Sequence, residues 1–295
     1  MSMNPEHDSF LRAIAKTERL TPAPRILGQV MALLRDPDTD INSIAALVKN
    51  DPALVTDMIR GANTVFYGRG ERVSSLERAL LKIGFREGIR LLNLAVARTL
   101  SSRNLDSYGM AADDFWAESL FNGLFLKALA MTTSAIELDE AHTAGLLRFT
   151  GRLVIDQCIK ERKTAIRWDG VTALEAWETE QTGFTQAQAG ALLLRNWKFP
   201  ERLTHAIEWQ NQAARAPNPD WLMEALNFTS AVLPQGFGAS FAVMATDYRV
   251  PALPETEFVV RYNLTAERIE ELLNSCRSEF VAIGSKLYDY RKSPE

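Results

Sequence analysis

Residues 141–155 read Ala-His-Thr-Ala-Gly-Leu-Leu-Arg-Phe-Thr-Gly-Arg-Leu-Val-Ile, a mostly apolar run near the middle of the 295-residue chain. Apolar residues at helical spacing continue on both sides, and we predict one helix from about Asp139 to Lys163. At the centre of the run stand Arg148, a cation, and Phe149, an aromatic residue. Neither side chain can coordinate a divalent metal, which requires carboxylate, imidazole or thiolate donors.

The frame around these two residues resembles the centre of an HD-superfamily metal phosphohydrolase. It consists of Ala-Gly-Leu-Leu, two further residues, a small residue, a glycine, and a basic and apolar run. In that superfamily the two residues after Leu-Leu are His and Asp, and both bind the metal. The resemblance therefore implies the helical scaffold of the superfamily, with Arg148 and Phe149 standing where the metal ligands would be.

Five short fragments in the first hundred residues follow one another in an order that is typical of one family. They are Asn50-Asp51-Pro52-Ala53-Leu54, Arg60-Gly61-Ala62-Asn63, Phe66-Tyr67-Gly68, Val73-Ser74-Ser75-Leu76, and Ala79-Leu80 with Ile83-Gly84. On these fragments the chain resembles the HDOD family, over roughly residues 20 to 240. HDOD proteins are regarded as signalling modules related to the HD superfamily that have lost the catalytic ligands.

Helical periodicity dominates the whole chain, and we predict an all-α protein built as a two-lobed helical bundle. N-cap residues mark individual helix starts. Asp40 precedes one predicted helix, and Thr185 with Gln188 has the spacing of a capping box. The only candidate strand runs from Glu257 to Tyr262. The predicted division is an N-terminal helical extension (1–22), an N-terminal helical lobe (23–104), a degenerate HD-like helical lobe (105–235) and C-terminal helices packing on that lobe (236–295).

The HD resemblance also implies where the remaining ligand positions fall. We call these positions the vestigial site: Glu118, Arg148, Phe149, Trp209, Gln210 and Ser230. Each of them departs from the ligand set, so the resemblance implies a fold and not an activity. We therefore predict no catalytic residue, no bound metal and no other cofactor.

Charged residues are expected to hold the vestigial site together. We predict that Arg148 pairs with Glu118 in a cleft between helices, because a buried guanidinium without a carboxylate would be costly. Phe149 would fill much of the space beside them. The alternative is that Arg148 faces an open pocket and binds a small anionic ligand, such as a phosphate or a carboxylate.

The whole chain contains three histidines, too few for a usual HD-type metal centre, which needs several imidazoles and carboxylates. His7 lies near the terminus and leaves His142 and His205 as candidates. On an ideal helix His142 lies well off the face of Arg148. We interpret both His142 and His205 as structural or exposed side chains rather than as ligands.

Composition excludes several classes of partner and compartment. A net charge of −4 and a pI near 5.6 argue against a dedicated binder of nucleic acid or anionic membranes, because both require a strong positive field. The N-terminus lacks a secretory signal, and no apolar run is long enough to span a membrane. Cys158 and Cys276 lie far apart in sequence, which is typical of a reducing compartment. We expect a cytoplasmic protein.

One segment departs from the acidic character of the chain. Between residues 60 and 103 basic side chains outnumber acidic ones, and four recur every four positions. They form a candidate partner-binding surface: Arg78, Lys82, Arg86 and Arg90. The surface is either an ordinary solvated face or a docking site for an acidic partner, with a nucleic-acid backbone as a third interpretation.

Together these observations predict a non-enzymatic bacterial signal-transduction module that acts by binding proteins or a small ligand. Expected partners are signalling proteins, for example members of two-component or cyclic-dinucleotide pathways. Two alternatives stay open, a residual metal-dependent phosphohydrolase of the HD superfamily and a nucleic-acid-binding regulator. Metal analysis separates the first alternative from the main prediction, and salt-dependent binding to nucleic acid reveals the second.

Overall fold

The structure is a computed structural model, and it describes residues 10, 12–17, 22–33, 40–49, 52–63, 73–100, 103–134, 138–162, 165–233, 248 and 252–292. The prediction of an all-α protein is confirmed. Within these ranges no strand forms, and one isolated bridge joins Leu105 to Met110. No helix in these ranges combines the length and the apolar character that a membrane crossing requires.

The described residues form the following helices, given in chain order. In the N-terminal part they are α1 (Pro22–Leu33), α2 (Ile41–Val48), α3 (Pro52–Ala62), α4 (Leu76–Ile83) and α5 (Phe85–Leu100). The central part contains α6 (Ala112–Thr133), α7 (Leu138–Leu147), α8 (Gly151–Glu161), α9 (Leu174–Thr182), α10 (Gln186–Asn196), α11 (Glu201–Glu208) and α12 (Trp221–Val232). The C-terminal helices are α13 (Glu257–Arg261) and α14 (Ala266–Lys292). Two short 3-10 helices lie at Asp106–Tyr108 and Ala213–Arg215.

Side-chain caps set the helix starts that the sequence indicated. The Asp40 carboxylate accepts the backbone N–H of Ser43 at 2.8 Å, as an N-cap does. Thr185 and Gln188 form the predicted capping box, each side chain accepting the other residue's backbone N–H. Asn50 and Asp51 of the first HDOD-like fragment and the whole fragment Phe66-Tyr67-Gly68 lie outside the described residues.

The predicted boundary between the two lobes falls in the connection from residue 103 to residue 110, which contains a 3-10 helix. Helix α5 on one side of this connection packs against α6 and α7 on the other. The predicted boundary at 235/236 lies outside the described residues, as does most of the 1–22 extension, of which residues 10 and 12–17 are described as helical. The division into domains stays a prediction.

Helices α6 and α7 form the most extensive helix–helix contact of the described fold. Their backbones approach closely at Gly145, where an added Cβ would lie 2.4 Å from the carbonyl oxygen of Asn122. Only glycine fits such a distance, so Gly145 fixes how α7 lies against α6. As a result, the end of α7 meets the middle of α6 inside the core.

The prediction of a single helix from Asp139 to Lys163 was wrong. Helix α7 ends at Leu147 and α8 begins at Gly151, with a turn over residues 148–150. The Thr150 hydroxyl donates to the Leu147 carbonyl at 2.9 Å, and such side-chain bonds compete with helix continuation. At Gly151 an added Cβ would lie 1.8 Å from the Gln186 carbonyl of α10, so α8 must start with glycine here.

The predicted strand from Glu257 to Tyr262 was also wrong, because this segment forms the short helix α13. Thr256 acts as the N-cap and accepts the backbone N–H of Val259. Phe258 packs against Phe228 of α12, with ring centroids 5.5 Å apart. A local cap and an aromatic anchor therefore outweigh the strand propensity of this apolar run.

The last helix, α14, covers α6 from outside. Its residues Ile269, Leu273 and Cys276 are buried. The ring of Phe280 lies 5.9 Å from Trp116 and 6.1 Å from Phe121, both on α6. Helix α6 is therefore enclosed by α7 and α14, which explains why polar residues on it are buried.

Candidate functional site

The turn between α7 and α8 aims Arg148 into the core, where the side chain is only 1% exposed. Its guanidinium donates from Nε to Gln210 Oε1 at 3.0 Å and from Nη1 to Asn122 Oδ1 at 3.0 Å. A short hydrogen bond runs from Nη2 to the Ser230 hydroxyl. We call this set of contacts the Arg148 network. It joins α6, α12 and the segment after α11 to one side chain.

Two amides of the Arg148 network have fixed orientations. The Gln210 side-chain nitrogen donates back to the Arg148 carbonyl at 3.0 Å, so its oxygen must face the guanidinium. The Asn122 nitrogen donates to the Glu118 carbonyl at 2.8 Å, with the same consequence. Asn227 donates to the Gln210 carbonyl at 3.0 Å and holds that backbone in place. The side-chain oxygens of Gln210 and Asn122 therefore both point towards the Arg148 guanidinium.

Glu118 pairs with Arg152 rather than with Arg148, so the predicted Arg148–Glu118 ion pair was wrong. Arg152 Nη1 lies 2.7 Å from Glu118 Oε2, and both side chains are at most 1% exposed. Phe149 lies between the two arginines, with its ring centroid 4.0 Å from the Arg152 guanidinium carbon and 4.8 Å from that of Arg148. Cation–π contact therefore assists the burial of both guanidinium groups.

Arg148 is held by three neutral side chains, and its own side chain is only 1% exposed. Burial lowers the pKa of Arg148 to about 9, against an opposing effect of the Glu118 charge. The guanidinium is still charged at neutral pH. The alternative prediction, an Arg148 that is open to a small anionic ligand, therefore does not fit this geometry.

The residues of the vestigial site do not fit a divalent metal. Arg148 contributes a cation, Gln210 and Ser230 contribute neutral groups that are already bonded to it, and the Glu118 carboxylate is paired with Arg152. Metal centres of the HD type need imidazole and carboxylate donors. Within the described ranges no group of three or more His, Cys, Asp or Glu side chains is placed to hold a metal ion.

The structure brings most of the predicted site residues together and reveals two more. Trp209 stands apart from the Arg148 network, with its ring 6.5 Å from the half-buried His205 ring. Asn122 and Arg152 were missed by sequence reasoning. A signal for Asn122 was available, because it interrupts the apolar run of α6 one helical turn after Glu118.

A second buried polar cluster lies on the other side of Arg152. The Arg152 guanidinium carbon is 6.0 Å from the centroid of the Tyr108 ring, and the Tyr108 hydroxyl donates to Glu178 Oε1 at 2.9 Å. Glu178 Oε2 accepts the backbone N–H of Gln186 at 2.7 Å. Burial raises the pKa of Glu178 to about 7 and raises the pKa of Tyr108 as well. No sequence motif pointed to this carboxyl group.

The four residues of the candidate partner-binding surface do not form one stripe. Gly84, with a positive φ of 79°, separates α4, which carries Arg78 and Lys82, from α5, which carries Arg86 and Arg90. Arg78 is exposed and the Arg86 side chain is 84% exposed. Arg90 instead bonds Glu87 at 2.5 Å and lies 3.9 Å from Glu279 of α14. Arg78 and Arg86 are therefore the exposed cations of this surface, and Lys82 is half-buried.

His142, the other histidine candidate, is buried on α7 and makes no contact of the Arg148 network. Burial and the nearby charges of Lys127 and Arg90 lower the pKa of His142 to about 3, so the imidazole is neutral. It lines a small cavity between α5, α6, α7 and α14.

The chain matches a protein-family model and is similar in sequence to a bacterial protein. The family model of the HDOD domain matches residues 20–213 of the chain. In sequence the chain is similar to an uncharacterized protein of Treponema pallidum (strain Nichols), with 25% identity over 212 residues. The aligned region covers 70% of this chain and 40% of that protein, so the chain spans less than half the length of this relative.

Two solved structures share the fold. The chain is similar to a "Putative signal transduction protein" of Marinobacter aquaeolei VT8, with a TM-score of 0.67, 20% identity, and coverage of 95% of this chain and 65% of that chain. It is also similar to an HDOD domain protein of Geobacter sulfurreducens, with a TM-score of 0.55, 16% identity, and coverage of 90% and 89%. At such identities the likeness concerns the fold alone.

Proposed function

The chain belongs to the HDOD domain family, and from this membership we propose that it is a non-enzymatic bacterial signal-transduction module that acts by binding other proteins. The observation that carries the proposal is the Arg148 network. Three of the positions where the resemblance to the HD frame implies metal ligands, Arg148, Gln210 and Ser230, are instead a buried guanidinium and two neutral side chains that are bonded to it. The scaffold is kept, and its centre holds the helices together without the donors for hydrolysis.

The chemistry of hydrolysis explains why this observation matters. A metal phosphohydrolase uses its metal to polarise a phosphoryl oxygen and to generate hydroxide near neutral pH. A guanidinium can bind an anion, but it cannot lower the pKa of a bound water in this way. The one carboxylate of the vestigial site, Glu118, is engaged by Arg152. We infer that binding, rather than turnover, is what this chain retains.

Charge and exposure indicate where a protein partner would bind. Arg78, Lys82 and Arg86 present positive charge on α4 and α5, and the apolar side chain of Leu81 between them is 69% exposed. A single exposed apolar side chain is common on protein surfaces, so the proposed binding surface rests on the charges, which steer association with an oppositely charged surface. We propose an acidic partner, such as a member of a two-component or cyclic-dinucleotide pathway.

We also place the protein in the cytoplasm. Both cysteines, Cys158 and Cys276, are free and buried, which agrees with a reducing compartment. This assignment rests on cysteine usage and not on the absence of any targeting segment.

The first test concerns activity. Purified protein is incubated with Mn²⁺, Fe²⁺ or Mg²⁺ and with phosphomonoester and phosphodiester substrates, and bound metal is measured by elemental analysis. We expect no stoichiometric metal and no turnover above a protein-free control. Hydrolysis that chelation abolishes and metal restores would overturn the non-enzymatic proposal and favour the residual phosphohydrolase.

The second test concerns the partner. Affinity capture from native cells is followed by kinetic measurements on the captured protein, with a variant carrying Arg78→Glu, Lys82→Glu and Arg86→Glu. We expect the association rate at low salt to fall at least roughly tenfold, while the thermal midpoint hardly changes. The matched control is Arg215→Glu, an exposed charge elsewhere, which should leave the rate unchanged. Equal association rates for both variants would show that this surface is an ordinary solvated face and not a binding site.

A further inference from the structure

A second polar cavity lies where α5, α6, α7 and α14 meet, and it shares no lining residue with the Arg148 network. Its volume is about 20 Å³, which is enough for one water molecule. The side chains that matter here are Arg90 and Asn93 from α5, Lys127 from α6, Asp139 and His142 from α7, and Glu279 from α14. The cavity therefore joins the N-terminal helices, the central helices and the last helix.

Two buried side chains turn polar groups towards this cavity without a protein partner. His142 is 5% exposed, and no hydrogen bond to its imidazole forms among the described residues. Gly123 makes room for the ring, since an added Cβ there would lie 3.2 Å from His142 Nε2. Asn93 is 1% exposed, and its side-chain oxygen lies 3.2 Å from the Thr143 hydroxyl, which also donates to the Asp139 carbonyl at 2.7 Å. The amide N–H groups of Asn93 donate to no acceptor among the described residues. Buried polar groups normally have partners, so these two indicate a ligand or a water.

The charged groups that line the cavity are two cations, Arg90 and Lys127, and two carboxylates, Asp139 and Glu279. Lys127 lies 3.6 Å from Glu279, and Arg90 lies 3.9 Å from the same carboxylate. Asp139 instead lies near the exposed Arg86, at 4.0 Å, and Glu87 bonds Arg90 at 2.5 Å. With Glu279 in place, the three cations Arg86, Arg90 and Lys127 are matched by three carboxylates.

Removal of Glu279 would leave one positive charge, a buried imidazole and an amide around the same space. Such a set of donors is complementary to an oxyanion. The ion pairs of Glu279 are longer than a strong charge-assisted hydrogen bond, and the side chain is 38% exposed. Exposed pairs of this kind contribute little to stability, so another anion can compete with Glu279.

We propose that this cavity is a binding site for a small oxyanion, a phosphate or carboxylate group, and that Glu279 occupies it as an internal stand-in when no ligand is bound. The inference adds a ligand to the proposed signalling function and does not depend on the identity of the protein partner. Displacement of Glu279 loosens α14 from α6 next to Phe280, which packs against Trp116 and Phe121. Ligand binding would in this way change how α14 packs against α6.

The test uses the full chain with Glu279→Gln, which removes the internal charge and keeps the shape. Inorganic phosphate is titrated against ¹³C-histidine-labelled protein at constant ionic strength, and the His142 signal is followed by NMR. If Glu279 leaves the site open for about a tenth of the time, the variant should bind phosphate roughly tenfold more tightly than the wild type. A parallel titration with acetate distinguishes a carboxylate ligand from a phosphate ligand.

Two further variants make the result specific. Glu270→Gln removes a carboxylate from the same helix that pairs with Arg277 and does not line the cavity, so it should behave as the wild type does. Lys127→Met in the Glu279→Gln background should abolish the tighter binding. The proposal fails if Glu279→Gln and Glu270→Gln respond alike, or if Lys127→Met has no effect. Because no partner protein is present, either failure leaves the partner-binding proposal untouched.

Discussion

Replacement of Arg148 by methionine tests the central interpretation of the site. Methionine fills much of the same volume without the charge or the N–H groups, so the change removes hydrogen bonds more than packing. Asn122 Oδ1 and Gln210 Oε1 lose the donors that they have in the native protein, and both side chains are at most 3% exposed. Ser230 loses less, because its hydroxyl also donates to the Leu226 carbonyl at 3.2 Å.

The magnitude follows from these contacts. A buried acceptor left without a donor costs about 1–3 kcal/mol, and two such acceptors are created. Part of this loss is offset, because the variant no longer buries a guanidinium. We therefore expect Arg148→Met to lower the free energy of unfolding by about 3 kcal/mol, measured by urea denaturation at pH 7. A protein of ordinary stability should remain folded.

A double-mutant cycle assigns the loss to the proposed contacts. Asn122→Leu combined with Arg148→Met should cost less than the sum of the two single changes, by about 1–2 kcal/mol, because each alone strands the other residue. Glu118→Gln should show a smaller coupling to Arg148, since no hydrogen bond joins them. The control Arg215→Met, at an exposed position, should stay within about 0.5 kcal/mol of the wild type. An Arg148→Met variant as stable as this control would refute the role of Arg148.

Three further predictions follow from the same interior. Arg152→Met should destabilise by about 3 kcal/mol by leaving the Glu118 carboxylate buried and unpaired, and Glu118→Gln in that background should recover part of the loss in urea unfolding. Because burial raises the pKa of Glu178 from 4.5 to about 7, the folded protein binds its proton more tightly than the unfolded chain does. Stability should therefore fall as the pH rises from 4.5 through about 7, by roughly 3 kcal/mol relative to Glu178→Gln, and parallel pH profiles of the two proteins would contradict this. Gly151→Ala should cost ~3 kcal/mol in the same assay, since α8 must move away from α10, and a neutral effect would mean that the close approach at Gln186 is not required.

Much of the fold could be predicted from the sequence because its signals are local. The N-cap Asp40 located the start of α2, and the capping box at Thr185 located the start of α10. The break after Leu147 could not be predicted in this way. It depends on the contact of Gly151 with a helix that follows much later in the chain, and no local pattern reports such a contact.

Sequence reasoning named several residues that the structure joins, but the pairing that it predicted for Glu118 was wrong. The HD frame brought attention to Arg148, Gln210 and Ser230, which the structure joins directly. The frame could not show which of two arginines, Arg148 or Arg152, would meet Glu118. In a continuous helix these two arginines would lie on the same face, four residues apart. The turn at residues 148–150 changes the direction of the chain between them and sends each guanidinium to a different partner.

An arginine at the centre of this helical fold has a physical logic. A metal ion draws side chains from several helices to one point, and an apolar residue at that point would leave the surrounding polar groups unsatisfied. A guanidinium supplies a positive charge and five N–H donors in a rigid plane, so it can bind acceptors from several helices at once. Arg148 does this with Asn122, Gln210 and Ser230. It offers no exchangeable coordination position to a water or a phosphoryl oxygen, which is where an HD enzyme performs its reaction. On the proposed function, an arginine at this position holds the surrounding helices together without supplying the donors that hydrolysis needs.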